Sequence, residues 1–431
     1  MNLFDSLRHF FLEQGTHRRY IIGYSGGLDS TVLLHLSAEL RQLYPLLLTA
    51  VYIHHGLSAR ADHWRAHCED QCNALQIPFI DRAVHVSREP GRSLEEEARK
   101  ERYAIFLEHL NPEDILLTAH HQDDQAETLL VQLSRGAGIK GMAAMPSIKS
   151  FGLGFHARPL LSFSRDDLER YARDHELDWI EDESNHDIQL TRNFFRKDIL
   201  PLLKKRWPSI ATTFSRAAAH CAESQELLDH FAKSDLQACQ SDRVDCVSIK
   251  ALKCLELNRQ RHVLRYWLSS LGFIMPTTAV LHRIQQDFLT AAIDKLPYIK
   301  WGEAELRRYQ DQLMAMRCLH WIKPMAVSWD LKSDCVLDHG RLTATRALGR
   351  GIKNHSTLTV SFREGGERCY IGQMHRSLKN LFQEWAVPPW ERDRIPLLYS
   401  EGELIAVVGY FIRDDCLAKE SEEGWVIQYK M

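Results

Sequence analysis

The sequence predicts an α/β protein whose N-terminal part is a doubly wound parallel sheet, followed by a mainly helical domain and a small α+β domain. Three observations carry this. Between residues 19 and 133, short apolar runs alternate with helical stretches, the pattern of right-handed crossovers around a buried parallel sheet. The first run leads directly into a glycine-containing turn, Ser25-Gly26-Gly27-Leu28-Asp29-Ser30, and then a helix. The chain is 431 residues long, with 45% hydrophobic and 26% charged residues. That is too long for one ordinary domain and too apolar for a disordered chain.

In chain order, residues 20–24, 47–53, 79–86 and 115–119 read as strands. Residues 30–41, 59–75, 93–110 and 123–134 read as the intervening helices. In such sheets ligands bind beyond the carboxyl ends of the strands, so the residues after each strand are the functional candidates. Residues 217–239, 251–271 and 278–292 read as helices of a second domain, with a hairpin expected after Pro297. Strands return at 358–362, 404–411 and 425–429 around a helix at 377–386. The expected domains are 1–208, 209–325 and 340–431.

Composition excludes several classes. The longest strand-like apolar run, residues 46–53, is far short of a membrane span. Residues 1–14 carry Asp5, Arg8 and Glu13 and lack a clean signal-peptide core, so a soluble cytoplasmic protein without a membrane partner is expected. Ten cysteines without a Cys-x-x-Cys pair fit reduced thiols. A formal charge of −3 gives no global basic field, so a nucleic-acid partner must be held by local patches.

The loop after the first strand is the strongest local signal. Gly26 and Gly27 let backbone N–H groups approach an anion, the following helix N-terminus favours negative charge, and Ser25 and Ser30 offer hydroxyls. Asp29 beside phosphates calls for Mg2+ between the charges. The alternative is an ordinary strand-to-helix turn with Asp29 or Ser30 as cap. After the fourth strand comes His120-His121-Gln122-Asp123-Asp124-Gln125-Ala126-Glu127-Thr128. On a helix Asp123 and Glu127 share a face, as metal ligands, as bases, or simply as acids at a helix start. His54-His55-Gly56 ends the second strand and borders either a nucleotide or a plain turn. His63, His67, Cys68 and Cys72 have helical spacing that suits an amphipathic face better than zinc. Gly136, Gly138 and Gly141 spell Gly-x-Gly-x-x-Gly, but after a helix rather than a strand, which argues against dinucleotide binding.

The Ser-Gly-Gly-x-Asp-Ser run resembles the loop of the PP-loop ATP pyrophosphatases, a Rossmann-like superfamily that splits ATP between the α and β phosphates. Several further motifs follow in the order seen in tRNA(Ile)-lysidine synthetases. They are His54-His-Gly-Leu57, Ala98-Arg-Lys-Glu-Arg-Tyr103, the His120–Thr128 run, Arg158-Pro-Leu-Leu161, Asp182-Glu-Ser-Asn185 and Arg192-Asn-Phe-Phe-Arg196. The stretch from Gly365 through Arg376-Ser-Leu-Lys-Asn-Leu-Phe382 to Trp390 resembles the family's C-terminal domain.

The resemblance implies an ATP-dependent ligase that joins free lysine to C2 of cytidine 34 in the CAU anticodon of tRNA(Ile), through an adenylated cytidine, with release of AMP and pyrophosphate. It implies ATP at Ser25, Gly26, Gly27, Leu28, Asp29, Ser30 and His54, and catalysis by Asp29, His120, Asp124, Glu127 and Arg192. Mg2+ would sit on Asp29 and Asp123. RNA and substrate contacts would fall to Arg99, Arg102, Arg192, Asn193, Arg196, Arg376 and Lys379. Lysine must lose a proton to attack, with Asp124, Glu127 and His120 as candidate bases. Between Arg192 and Arg216, seven cations face one acid, Asp198, with Phe194, Phe195 and Trp207 interleaved. This suits an RNA surface or a solvated helix with core aromatics. Monomer and homodimer are both compatible with the sequence. Two other readings stay open: a PP-loop tRNA thiolase, which normally needs paired cysteines, and an ATP-binding RNA chaperone. Amidotransferases fit poorly, because Asn2 stands where an N-terminal cysteine nucleophile would be required.

Overall fold

The computed structural model describes residues 2–54, 60–84, 94–181, 191–292, 295–318, 321–353, 357–372 and 374–430. They fall into two compact units, Met1–Phe231 and Ala232–Met431. Among the described residues no helix is long and apolar enough to cross a membrane.

The first unit opens with α1 (Leu3–Gln14), whose first turn is capped by the Asn2 side chain accepting from Asp5 N–H at 2.7 Å. Then β1 (Arg19–Gly23), α2 (Leu28–Arg41), β2 (Leu47–His54), α3 (Ala61–Ala74), β3 (Phe79–Ala83), α4 (Leu94–His109), β4 (Ile115–Leu117) and α5 (Gln122–Ser134) alternate as expected. The short α6 (Ile139–Met142), the hairpin of β5 (Ile148–Phe151) with β6 (Gly154–Ala157), and α7 (Arg165–Asp174) follow. The sheet order is β3-β2-β1-β4-β6-β5, parallel throughout except for the edge pair β5 and β6.

Successive strand residues serve opposite faces. Tyr20, Ile22, Leu48, Ala50 and Leu117 join the cluster holding α1 and α2; Ile21, Val51, Ile53 and Leu116 pack against Ile105 and Phe106 of α4. Both faces are therefore covered, which explains why these strands read as near-continuous apolar runs. The chain moves outward from β1 to β2 and β3, then returns to β4 on the other side of β1. That reversal opens a crevice at the carboxyl ends of β1 and β4.

Some boundaries differ from the sequence reading. Helix α2 begins at Leu28, so Asp29 lies in its first turn and Gly27 takes the cap position. The β5–β6 hairpin was not anticipated, because β5 is partly exposed and neither four-residue strand forms a long apolar run. Expected segments at 85–86 and 93, and the motif residues His55 to Leu57 and Asp182 to Asn185, lie outside the described residues. After α7 the chain is helical again: α8 (Thr191–Phe194), a π-helical turn (Phe195–Ile199), α9 (Leu200–Arg206) and α10 (Ile210–Cys239).

The second unit holds α11 (Ile249–Lys253), α12 (Leu257–Ser270) and α13 (Thr278–Arg283) around Trp267, Phe288 and Leu306. The single helix expected at 251–271 is broken, because Ser248 caps α11 and Glu256 is extended at the start of α12. The hairpin after Pro297 is present and larger than expected: Tyr298–Trp301, Ala304–Tyr309 and Gln312–Arg317 form a meander extended by Cys246–Ser248. The C-terminal part is richer in strand than the reading implied. A five-stranded sheet holds Leu358–Ser361 and Glu403–Val407, a three-stranded sheet holds Glu423–Lys430, and the predicted helix is Leu378–Glu384.

Candidate active site

The two strongest motifs meet at the switch point between β1 and β4. In the loop after β1, Gly26 has φ +77°, and a Cβ there would stand 2.7 Å from both Cys68 Sγ and Ile180 Cδ1. Glycine is thus required by conformation and by space. Ile180 N–H donates to Gly26 O at 2.8 Å, and Ser30 Oγ donates to Gly27 O at 3.0 Å. Ser25 Oγ lies 3.1 Å from Ser30 Oγ, so the two hydroxyls form one polar rim. Asp29 Oδ1 is buried with no hydrogen-bond partner, an open acceptor beside the cradle.

From the β4 side, the backbone turns at His121, whose N–H donates to Asp124 Oδ2 at 3.0 Å and starts α5. The paired histidines separate here. His121 faces the loop, with Nε2 3.5 Å from Asp29 Oδ2 and 3.4 Å from Asp124 Oδ2. Burial alone would lower the His121 pKa, but Asp124, Asp29 and Asp123 outweigh it and raise it. His120 is half-buried on the other side, bonded through Nδ1 to Thr118 Oγ1 at 2.7 Å. Burial, helped by Arg158, Arg192 and Arg99, pushes it down to about 3 against the pull of Asp124.

Helix α5 turns its acids inward: Asp123, Asp124 and Glu127 are all buried. The cations that compensate come from the segment after residue 190. Arg192 donates from Nε to Glu127 Oε2 and from Nη2 to Asp124 Oδ1, both at 2.8 Å. Arg196 donates to Glu127 Oε1 at 2.6 Å and to Asp124 Oδ1 at 2.9 Å. Lys204 pairs with Asp123 Oδ1, and Arg165 N–H donates to Asp123 Oδ2 at 3.1 Å. Burial would raise the Asp124 carboxyl, yet His121, Arg192, His120 and Arg196 bring it well below the usual carboxylate range. Asp123 is lowered in the same way, chiefly by Lys204. Four carboxylates, counting Asp29, thus face three fixed cations and His121, which makes the buried charge tolerable.

The structure therefore brings together Asp29, Asp124, Glu127, Arg192 and Arg196 from three separate motifs. Asp123 is engaged by Lys204 and Arg165, which leaves Asp29 as the carboxylate with an open oxygen. Arg99 and Arg102 lie over the Tyr103 ring at 5.1 and 5.9 Å, on the His156 side of β4. Asn193 is half-buried within α8. His54 ends β2 with Nε2 3.8 Å from Asp62 Oδ1. In the second unit, Arg376 pairs with Glu384 and Lys379 is exposed. Cys68 and Cys72 are buried in the core, with thiols pushed up to about 12 by burial, which is unsuited to sulfur transfer. The Gly136–Gly141 run follows α5 and opens only the four-residue α6, so it lacks the strand that a dinucleotide fingerprint needs. Sequence reasoning missed Lys204 as the Asp123 partner, a pairing across 81 residues, and gave no role to Thr118, His156 or Arg158, which come together only because β4 pairs with β6.

Residues 3–203 match the family model described as a PP-loop domain, residues 248–314 a TilS substrate binding domain, and residues 358–429 a TilS substrate C-terminal domain. The tRNA(Ile)-lysidine synthase of Coxiella burnetii is 43% identical, over 98% of this chain and 96% of its own. The chain belongs to the tRNA(Ile)-lysidine synthase family. Members from Legionella pneumophila (strain Paris) and Serratia proteamaculans are 40% and 38% identical, over 95% and 96% of this chain and of their own. This membership supports the ligase reading of the PP-loop site over the thiolase one. The segments Ser25–Ser30, His120–Thr128 and Arg192–Arg196 converge at the switch point.

Proposed function

We infer that the protein is an ATP-dependent tRNA(Ile)-lysidine synthase, acting on cytidine 34 of a CAU anticodon with free lysine as nucleophile. The observation that carries this reading is the junction of the nucleotide loop with the acidic cluster through Asp29, His121 and Asp124. A carbonyl oxygen is a poor leaving group, so the cytosine O2 first attacks the α-phosphorus of ATP and expels pyrophosphate. The ε-amine of lysine then attacks C2, and the C2–O bond breaks to release AMP. The proton lost by the amine passes to a base in the site.

The N–H groups of the loop and the Ser25 and Ser30 hydroxyls bind phosphate oxygens. Asp29, with its open Oδ1, is the residue that fits Mg2+. The ion would supply charge neutralisation of the phosphates at the loop. Asp124 stays ionised under the influence of His121 and Arg192, so it can receive the lysine ammonium and orient its Nε toward the base. Arg192 and Arg196 hold Asp124 and Glu127 in place, and a small shift of either arginine frees a donor for substrate oxygens. The exposed Phe194, Lys205, Arg206 and Trp207 offer stacking faces and phosphate partners to the anticodon stem-loop. Lys379 and Arg376 supply a second RNA contact. The reaction is assigned to the cytoplasm.

Adenylation can be isolated from the second step. With α-32P-labelled ATP, Mg2+ and an unmodified tRNA(Ile) transcript but no lysine, label should transfer to the RNA and leave as AMP when lysine is added. RNA that stays unlabelled while ATP is hydrolysed would overturn the adenylated intermediate.

A further inference from the structure

A hydrogen-bonded chain of four residues runs from β6 to the reaction site. Arg158 Nη2 lies 3.2 Å from His156 Nδ1, His156 Nε2 lies 2.8 Å from Thr118 Oγ1, and Thr118 Oγ1 lies 2.7 Å from His120 Nδ1. His156 and Arg158 are buried, at 0% and 3% exposure, and Arg158 is fixed from the other side by donating to Pro146 O at 2.7 Å.

The proton position on His156 follows from donor chemistry. A guanidinium has donors and no acceptor, so His156 Nδ1 must be the acceptor and carries no proton. His156 is then neutral with its proton on Nε2, which donates to Thr118 Oγ1. The Thr118 hydroxyl has one proton of its own, and among the described residues its other hydrogen-bond neighbour is His120 Nδ1. Donating that proton to His120 Nδ1 satisfies every group in the chain, whereas an Nδ1–H there would leave the hydroxyl proton without an acceptor among these four residues. His120 Nδ1 is unprotonated, and the imidazole proton resides on Nε2. In this state neither ring nitrogen offers a free lone pair: one is occupied by the hydroxyl and the other bears hydrogen.

We propose that Arg158, His156 and Thr118 are positioning residues that lock His120 as the neutral Nε2–H tautomer. His120 is then not the base that takes the lysine proton. The role in turnover rests on the ligase reading above, whereas the tautomer does not. A neutral ring also avoids the repulsion that an imidazolium would meet from Arg158, Arg192 and Arg99.

The tautomer is read directly in the full-length protein labelled with 15N-histidine, by two-bond proton–nitrogen correlation at pH 7, with His120→Gln identifying the signal. The expected spectrum shows His120 with a bare Nδ1 and a protonated Nε2. Thr118→Val should produce a mixture of tautomers and lower kcat at least about tenfold with little change in KM for ATP, and Thr118→Ser should restore both. An Nδ1–H tautomer or a charged ring in the wild type overturns the proposal, as does Thr118→Val with wild-type turnover. If Thr118→Val does not fold, the wild-type tautomer alone decides. A correct tautomer in a protein that makes no lysidine would instead overturn the ligase reading and leave the chain of hydrogen bonds standing.

Discussion

At the scale of single residues, the site depends on charges that are buried only because others face them. Asp29 is the residue whose removal isolates the nucleotide step. Asp29→Ala should lower turnover about 10²- to 10³-fold at saturating ATP and Mg2+, and normal turnover under those conditions would show that the carboxylate does not act there. Asp124 gives a pH test. Its folded pKa lies below its unfolded value near about 3.9, so its stabilisation is present above that value and is lost as pH falls through the folded one. Asp124→Asn should therefore cost about 3 kcal/mol in urea unfolding between about pH 5 and 8, and the difference should shrink below about pH 4. A difference independent of pH would mean that the carboxylate charge is not what holds Arg192 and Arg196. Asp29, Asp124 and Glu127 were visible in the sequence because carboxylates beside a phosphate loop are chemically conspicuous. Which histidine faces Asp29 was not visible, since adjacent residues at a strand end point to opposite sides and only the fold shows that His121 turns inward.

At the scale of elements, the loop and α5 show where local pattern succeeds and where it fails. The loop was legible because strand, glycines and helix are contiguous. Gly26→Ala should destabilise the protein by about 1–3 kcal/mol and weaken ATP binding, because it adds a positive-φ penalty to a 2.7 Å clash with Cys68 and Ile180. Unchanged melting and ATP affinity would contradict the loop geometry. Helix α5 misleads in the opposite sense. Its sequence reads as a polar helix start, yet Gln122, Asp123, Asp124, Gln125 and Glu127 are buried. Their partners, Arg192, Arg196, Lys204 and Thr212, are far away in sequence, and no periodicity reports them. The same long-range pairing gives the basic run after Arg192 a structural use that its sequence does not show: three of its cations are spent on α5. Helix α3 supplies a further test, because Cys68 and Cys72 with pKa near 12 carry only about 10⁻⁴ thiolate at pH 8. Both should resist iodoacetamide in the folded protein while the exposed Cys254 reacts, and rapid alkylation of either would place it outside the core.

For the whole molecule, the first unit carries the segment that matches a PP-loop domain, and the second carries segments that match TilS substrate binding and C-terminal domains. A formal charge of −3 means that RNA must be held by patches rather than by a general field. Lys379→Ala combined with Arg376→Ala should weaken tRNA binding and reduce the dependence of log affinity on log salt by about 1–2, with ATP binding unchanged. An unaltered salt slope would remove this surface from the RNA footprint. The layout of the sheet was legible from the alternation of apolar runs and helices. The second unit was less so, because its short strands, such as Cys246–Ser248, are completed by pairing with residues more than sixty positions away. The most direct measurement is transfer of radiolabelled lysine to an unmodified CAU-anticodon tRNA(Ile) transcript with ATP and Mg2+, beside a C34→U control. Lysidine synthesis predicts label in the first transcript alone. No label in either, with AMP still passing to the RNA, would contradict lysine as the nucleophile.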